Sequence, residues 1–273
     1  MTSGAVPMRA SARVLLAVAF VLGIVSFGWP LLAHPSAGID ASHGADAPWL
    51  VLLLVPLVLA IVIAELADGS IDAKAIALLG VLAACGAALR LPSGGVAGFE
   101  PVFFLLVPAG RVLGRGFGFV LGALTLFASA LLTGGVGPWL PFQMFGAAWI
   151  GFFAGCLPPM RGRREILMLA GYAAAAALVY GLVMNLWFWP FVGGTDTSVS
   201  FVAGDGVVEN LRRFWGFHIA TSLGFDLPRA FFSASFMLVA GRPVLAALRR
   251  VARRAAFEQP VVFAGPGGPP VAS

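Results

Sequence analysis

The chain has 273 residues, 60% of them hydrophobic and only 11% charged, with a mean hydropathy of +0.96. That balance excludes a soluble domain of this size and places the chain in a bilayer, where about 20 residues per spanning helix leave room for six to eight helices. Seventeen basic residues against twelve acidic ones would suggest nucleic acid in a soluble protein, but here the arginines gather in the turns between apolar segments, where they report topology.

The first apolar segment covers residues 14–32, preceded by Arg9 and Arg13 and followed by the lysine-free loop HPSAGIDASHGADAP. No A-x-A-like cleavage site follows at a suitable distance, so the spacing predicts a retained helix with a cytoplasmic N-terminus. The second segment, residues 49–66, returns the chain inward, and ELADGSIDAK makes a polar turn.

The third, residues 73–89, carries Gly80, Ala84 and Ala88 on one line, with Ala83 and Ala87 beside it. Such a smooth strip lets another helix, internal or from a partner, approach closely in lipid. The loop RLPSGGVAGFE leads to a fourth segment, residues 101–112. At the helical rise this is near 20 Å, short of the roughly 30 Å hydrocarbon core, so it must lie nearly upright, thin the bilayer or be shielded by neighbours.

From there Gly110, Gly114, Gly118 and Gly122 recur every four residues, and the fifth segment, residues 117–133, is expected to lie tightly against a neighbour. The loop TGGVGPWLPFQ cannot continue a helix. A sixth segment, residues 144–157, repeats the small-residue line in Ala147, Gly151 and Gly155, and exits through PPMRGRRE. The seventh, residues 166–189, ends in the aromatic group Trp187, Phe188, Trp189 and Phe191; a long polar stretch, residues 193–210, follows as a lid or binding surface.

The eighth segment, residues 217–239, leads to the basic stretch LRRVARRAAFEQP, expected to lie on anionic lipid, and then to a tail expected to be disordered. Cys85 and Cys156 fall inside apolar segments at no metal-ligand spacing and are expected to be small packing residues; neither a metal nor a cofactor is expected.

The fold class read from this pattern is an all-α integral membrane protein, a polytopic bundle of about eight transmembrane helices with both termini cytoplasmic. Moving any one span spoils the arginine asymmetry between the two sides.

The polar residues within or beside these segments are few. Asp226 and Arg229 stand at i and i+3 in the eighth span, on one face, where charges are costly unless satisfied. They are read either as an ion pair locking the bundle or as ligand groups. Asn185 is an interhelical hydrogen bond or a ligand contact. At the outer side Arg90, Glu100, Gln143, Asn210 and His218 are placed to converge with Trp139, Trp187, Trp189 and Trp215. Aromatic rings with a few fixed polar groups suit a pocket for a heterocyclic solute, although tryptophan at a headgroup boundary needs no ligand. The absence of a P-loop, of H-E-x-x-H and of G-x-S-x-G argues against ATP hydrolysis by this chain and against intramembrane proteolysis, and no enzymatic activity is expected.

AALRLPSGGVAGFEPVFFLLVPAGRVLGRGFGFVLGAL, TGGVGPWLPFQMFGAAWIGFFAG, MNLWFWPF and TSLGFDLPRA together resemble the substrate-binding S component of an energy-coupling factor (ECF) vitamin transporter of the actinobacterial type. The resemblance covers about two-thirds of the chain. It implies a six-helix core in 73–248, to which the helix pair of residues 1–72 is an addition and after which the basic, then disordered, cytoplasmic tail of 249–273 follows.

It further implies a vitamin-like, ring-bearing solute held in the outer half of the core under loops 91–99, 134–142 and 193–210. A cobamide, a thiamine precursor and a modified nucleobase all fit. The strip Ala73, Ala77, Gly80, Ala84 and Ala88 would dock on a transmembrane coupling subunit, with ATP hydrolysis by two separate ATPase subunits. The competing readings are a membrane enzyme acting on a lipid or isoprenoid through Asp226, Arg229 and His218, and a non-catalytic scaffold.

Overall fold

The computed structural model describes residues 10–32, 73–93, 98–192, 197–202 and 204–255. All regular structure among them is helical: α1 (Ala10–Leu32), α2 (Ala73–Arg90), α3 (Val102–Leu113), α4 (Arg115–Thr133), α5 (Leu140–Cys156), α6 (Gly162–Val192) and α7 (Val207–Ala255), with a 3-10 turn at Leu91–Ser93. Of these, α4, α6 and α7 are long and apolar enough to cross a membrane. The expected span at 49–66 and the tail beyond 255 lie outside the described residues.

The short helix α3 occupies the centre. Nine of its twelve residues are buried, because α4 and α5 pack along it, α7 crosses it, and α2 and α6 touch it. Of the three ways to accommodate a helix of about 18 Å, shielding by neighbours is the one found.

Glycine makes this crowding feasible. A Cβ on Gly110 or Gly118 would overlap the carbonyl of Gly151, one on Gly151 would overlap Gly118, and one on Gly122 would overlap the carbonyl of Ala147. Three backbones therefore meet where the Gly110–Gly118–Gly122 series of α3 and α4 crosses the Ala147–Gly151–Gly155 line of α5. In lipid, which gives no hydrophobic drive between helices, such contact area is the main source of cohesion. Gly114 has a different task. Its φ of +105° breaks the chain between α3 and α4, a conformation that side-chain-bearing residues resist.

The longest helix departs from expectation. Rather than spanning 217–239, α7 runs unbroken from Val207 to Ala255, with Pro228 and Pro243 inside it. Its basic C-terminal end, rich in Ala, Leu and Arg, is made of good helix formers, and at its start Glu209 sits one turn before Arg213, 3.9 Å away. The polar segment after α6 is correspondingly shorter, and the basic stretch of the tail is helical as far as Ala255. Both cysteines also differ from expectation. Cys85 and Cys156 are exposed on the bundle surface, because the buried face of α2 is supplied by Leu79, Ala83 and Ala87.

Candidate functional site

Two knots of charge tie the bundle together. The first starts from α7, where His218, Ser222, Asp226 and Arg229 follow one another at helical spacing and so share a face. Asp226, 1% exposed, accepts from the Ser222 hydroxyl at 2.6 Å and from Arg229 at 2.5 Å. Arg229 Nε donates at 2.6 Å to Glu100, which arrives from the turn before α3.

Two glycines position these groups. Gly98, at φ +72°, lets the turn pass directly over α7: a Cβ there would overlap the Phe225 carbonyl and press on Pro228 and the backbone nitrogen of Arg229. Gly181 on α6 leaves the space that the Asp226 carboxylate fills. The Arg229 guanidinium also lies 5.5 Å from the ring centre of buried Tyr180, a cation–π contact. Tyr180 borders an apolar groove between α5 and α6, lined by Trp149, Phe153 and Val179.

The chain of polar groups continues toward the start of α7. Asn185 Nδ2 lies 3.2 Å from His218 Nδ1 and donates to Thr221 Oγ1 at 3.4 Å. With the amide nitrogen donating to both, the neutral imidazole carries its proton on Nε2, which faces Asp226 Oδ2 at 3.9 Å. Asn185, His218, Asp226, Arg229 and Glu100 thus form one line across α6, α7 and the turn before α3. Arg90 lies within electrostatic reach of Tyr180, as Glu100 and Arg229 do. It forms no ion pair with a described residue.

Other expected site residues are placed apart from this line. Trp189 is fully buried and donates to the Val199 carbonyl at 2.8 Å. Asn210 receives the Val202 N–H at 3.1 Å and donates to the Val202 carbonyl at 2.8 Å. Both fasten residues 197–202 over the ends of α6 and α7, where Trp189, Phe214 and Phe217 form a small core of their own. Trp139 is 43% exposed and donates to Gly135 within its own turn. Gln143 is half-buried one turn into α5, and its backbone N–H donates to the Trp139 carbonyl at 2.9 Å. Trp187 stacks face to face on Phe142 at 4.2 Å inside the main core.

The second knot is at the other end of α6. Glu165, 1% exposed, accepts from Arg111 Nε at 3.1 Å and from Arg249 at 2.6 Å. Arg111 also caps the end of α5 by donating to the Leu157 carbonyl at 2.7 Å. Sixteen residues of α6 separate Glu165 from Gly181, which is about 24 Å at the helical rise.

No protein-family model, curated protein or solved structure matches this chain. Its chemistry has to be read from its own residues. Among the described residues no group of three or more His, Cys, Asp and Glu is placed to hold a metal ion.

Sequence reasoning left out Ser222, Tyr180 and Glu165. Each leaves a trace: Ser222 precedes Asp226 by four residues, Tyr180 is one of only two tyrosines, and Glu165 is the lone acid in PPMRGRRE.

Proposed function

We propose that the protein is a membrane-embedded subunit that captures a small ring-bearing solute from the outer side, working as the S component of an ECF-type importer with a coupling subunit and two ATPases. The observation that carries this reading is the line Asn185–His218–Asp226–Arg229–Glu100, held in an apolar bundle with Arg90 close by. Ionisable groups at membrane depth are costly and mark solute or ion sites more often than they serve as girders.

The eight-span arrangement with cytoplasmic termini belongs to the same proposal. Two buried ionic knots about 24 Å apart along α6 both fit within a hydrocarbon core of roughly 30 Å, one toward each face, the arginine-rich one on the inner side. The knot nearer the outer side holds two carboxylates and one guanidinium. With His218 neutral, it favours a solute that brings a ring nitrogen as cation or donor.

The docking strip has support of its own. Ala77, Gly80, Ala84 and Ala88 are exposed on α2, and a Cβ built on Gly80 meets nothing within 4 Å. Ala83 and Ala87 face the core instead.

The deciding experiment is native mass spectrometry of the purified protein, paired with uptake by cells expressing it. A solute bound at about one per chain, and lost in Asp226→Asn and Asn185→Ala variants that still elute as folded protein, is the expected result. A chain that never carries a solute, in cells whose uptake does not change when it is deleted, would overturn the proposal.

A further inference from the structure

A recess of about 330 Å³ opens between the start of α6 and the last turns of α7, next to the second knot. Its rim is Arg242, Arg249, Arg250 and Arg253, and its floor includes Ile166 and Leu245, which are 6% and 2% exposed. On α7 these positions recur every three to four residues, so they are one face of the helix, and Ala246 between them keeps the middle of that face open.

The charge in this recess is not internally balanced. Glu165, the acid in its wall, is already shared by Arg111 and Arg249. Arg242, Arg250 and Arg253 form no ion pair with a described residue. The first turn of α6 adds to the field, because Gly162 lines the recess and the free N–H groups of a helix N-terminus attract anions. Basic residues near the end of α7 would favour its dipole, but Arg242 stands thirteen residues before Ala255, beyond the last turn where that effect acts.

We propose that this recess binds the phosphate of an anionic phospholipid headgroup. Arginines around a rim suit a phosphate by bidentate contact. An apolar floor between two long apolar helices suits the start of an acyl chain, which a free phosphate ester would not use. A basic pocket between helices at a membrane boundary is the geometry expected for such headgroups. The site lies at the far end of α6 from the proposed solute site, and its failure would leave the capture reading intact.

The test uses the full chain, purified from mixed phosphatidylglycerol and phosphatidylcholine, with retained lipid counted by native mass spectrometry. The expected result is retained phosphatidylglycerol that falls about tenfold or more in R242Q/R250Q/R253Q. The comparison variant R161Q/R163Q/R164Q, which removes as much charge from Arg161 and the first turn of α6 without touching a residue that lines the recess, should change retention less than about threefold. None of the six arginines is ion-paired to a described residue, and circular dichroism with gel filtration confirms that both variants fold. Equal loss in the two variants would reassign binding to general surface charge and overturn the proposal. So would undiminished retention in the first variant. A thermal shift from inorganic phosphate matching that from phosphatidylglycerol would also overturn it, by making the recess a site for a free phosphate ester.

Discussion

The two ionic knots are near mirror images in charge. Glu100, Asp226 and Arg229 offer two carboxylates to one guanidinium; Arg111, Arg249 and Glu165 offer two guanidiniums to one carboxylate. Each contains a buried carboxylate, Asp226 or Glu165, with a side chain 2% exposed, and each joins α7 to α6 or to an end of α3. They differ in their surroundings. The first continues through His218 to Asn185 and has an aromatic face beside it, whereas the second opens onto a recess with three further arginines. Similar buried triads therefore face opposite demands, one short of positive charge and the other rich in it. That contrast lets substitutions at the two knots distinguish holding the helices together from receiving a ligand.

The largest effect is expected from removing the hub of the first knot. Arg229→Leu strands two carboxylates in a largely dry site, and breaking a buried pair in this way costs about 3–5 kcal/mol. Thermal unfolding in detergent should show a large drop in Tm or a failure to fold. Glu165→Leu should follow at about 2–4 kcal/mol, less because the Arg249 side chain is 42% exposed and can turn toward water. If Glu165→Leu proved costlier than Arg229→Leu, the ranking of the two knots by burial would be wrong.

A triple change separates structural from functional roles at the first knot. Replacing Glu100, Asp226 and Arg229 together by leucine removes charge without stranding any. Such exchanges are often neutral or stabilising by about 1–4 kcal/mol. A triple variant that folds as well as the parent but binds no solute would assign the knot to capture. One that folds and still binds would leave it as a girder and move the solute elsewhere.

Much of the architecture was legible in the sequence because its causes are local. Glycine at four-residue spacing predicts close helix packing, and Gly110, Gly118, Gly122 and Gly151 are where backbones touch. Asp226 and Arg229 were readable as a pair from their i, i+3 spacing alone. What was not legible depends on distant partners. Nothing local tells Glu100 that it meets Arg229 across 129 positions, or Glu165 that it is reached from both α3 and α7. The aromatic residues misled for a related reason. A tryptophan near a helix end reads the same whether it lines a pocket or, like Trp189, sits fully buried holding the Val199 carbonyl.

A middle-sized effect tests how finely the first knot is fitted. Gly181→Ala places a methyl group where the Asp226 carboxylate lies; either the carboxylate or α6 must move, at a cost of about 1–3 kcal/mol by the usual measure of overpacking. Solute affinity should fall more than stability does, because a displaced Asp226 loses its line to His218. Gly171→Ala, on the same helix with open space around it, is the matched control and should be neutral or slightly stabilising, since alanine is the better helix former.

The smallest expected effect on stability is also the most informative about partners. Ala84 is exposed on α2, and Ala84→Leu leaves every described contact in place, so the Tm of the isolated chain should stay within about 0.5 kcal/mol equivalent of the parent. A leucine at that position nevertheless raises a ridge in the line of small residues Ala77, Gly80, Ala84 and Ala88, and helices that associate through small residues do not tolerate a ridge. Co-purification with a coupling subunit and its ATPases should therefore be lost while both knots, and solute binding by the isolated chain, remain intact. Unchanged co-purification would show that the strip faces lipid alone, and would confine function to the two ends of the bundle where the charges lie.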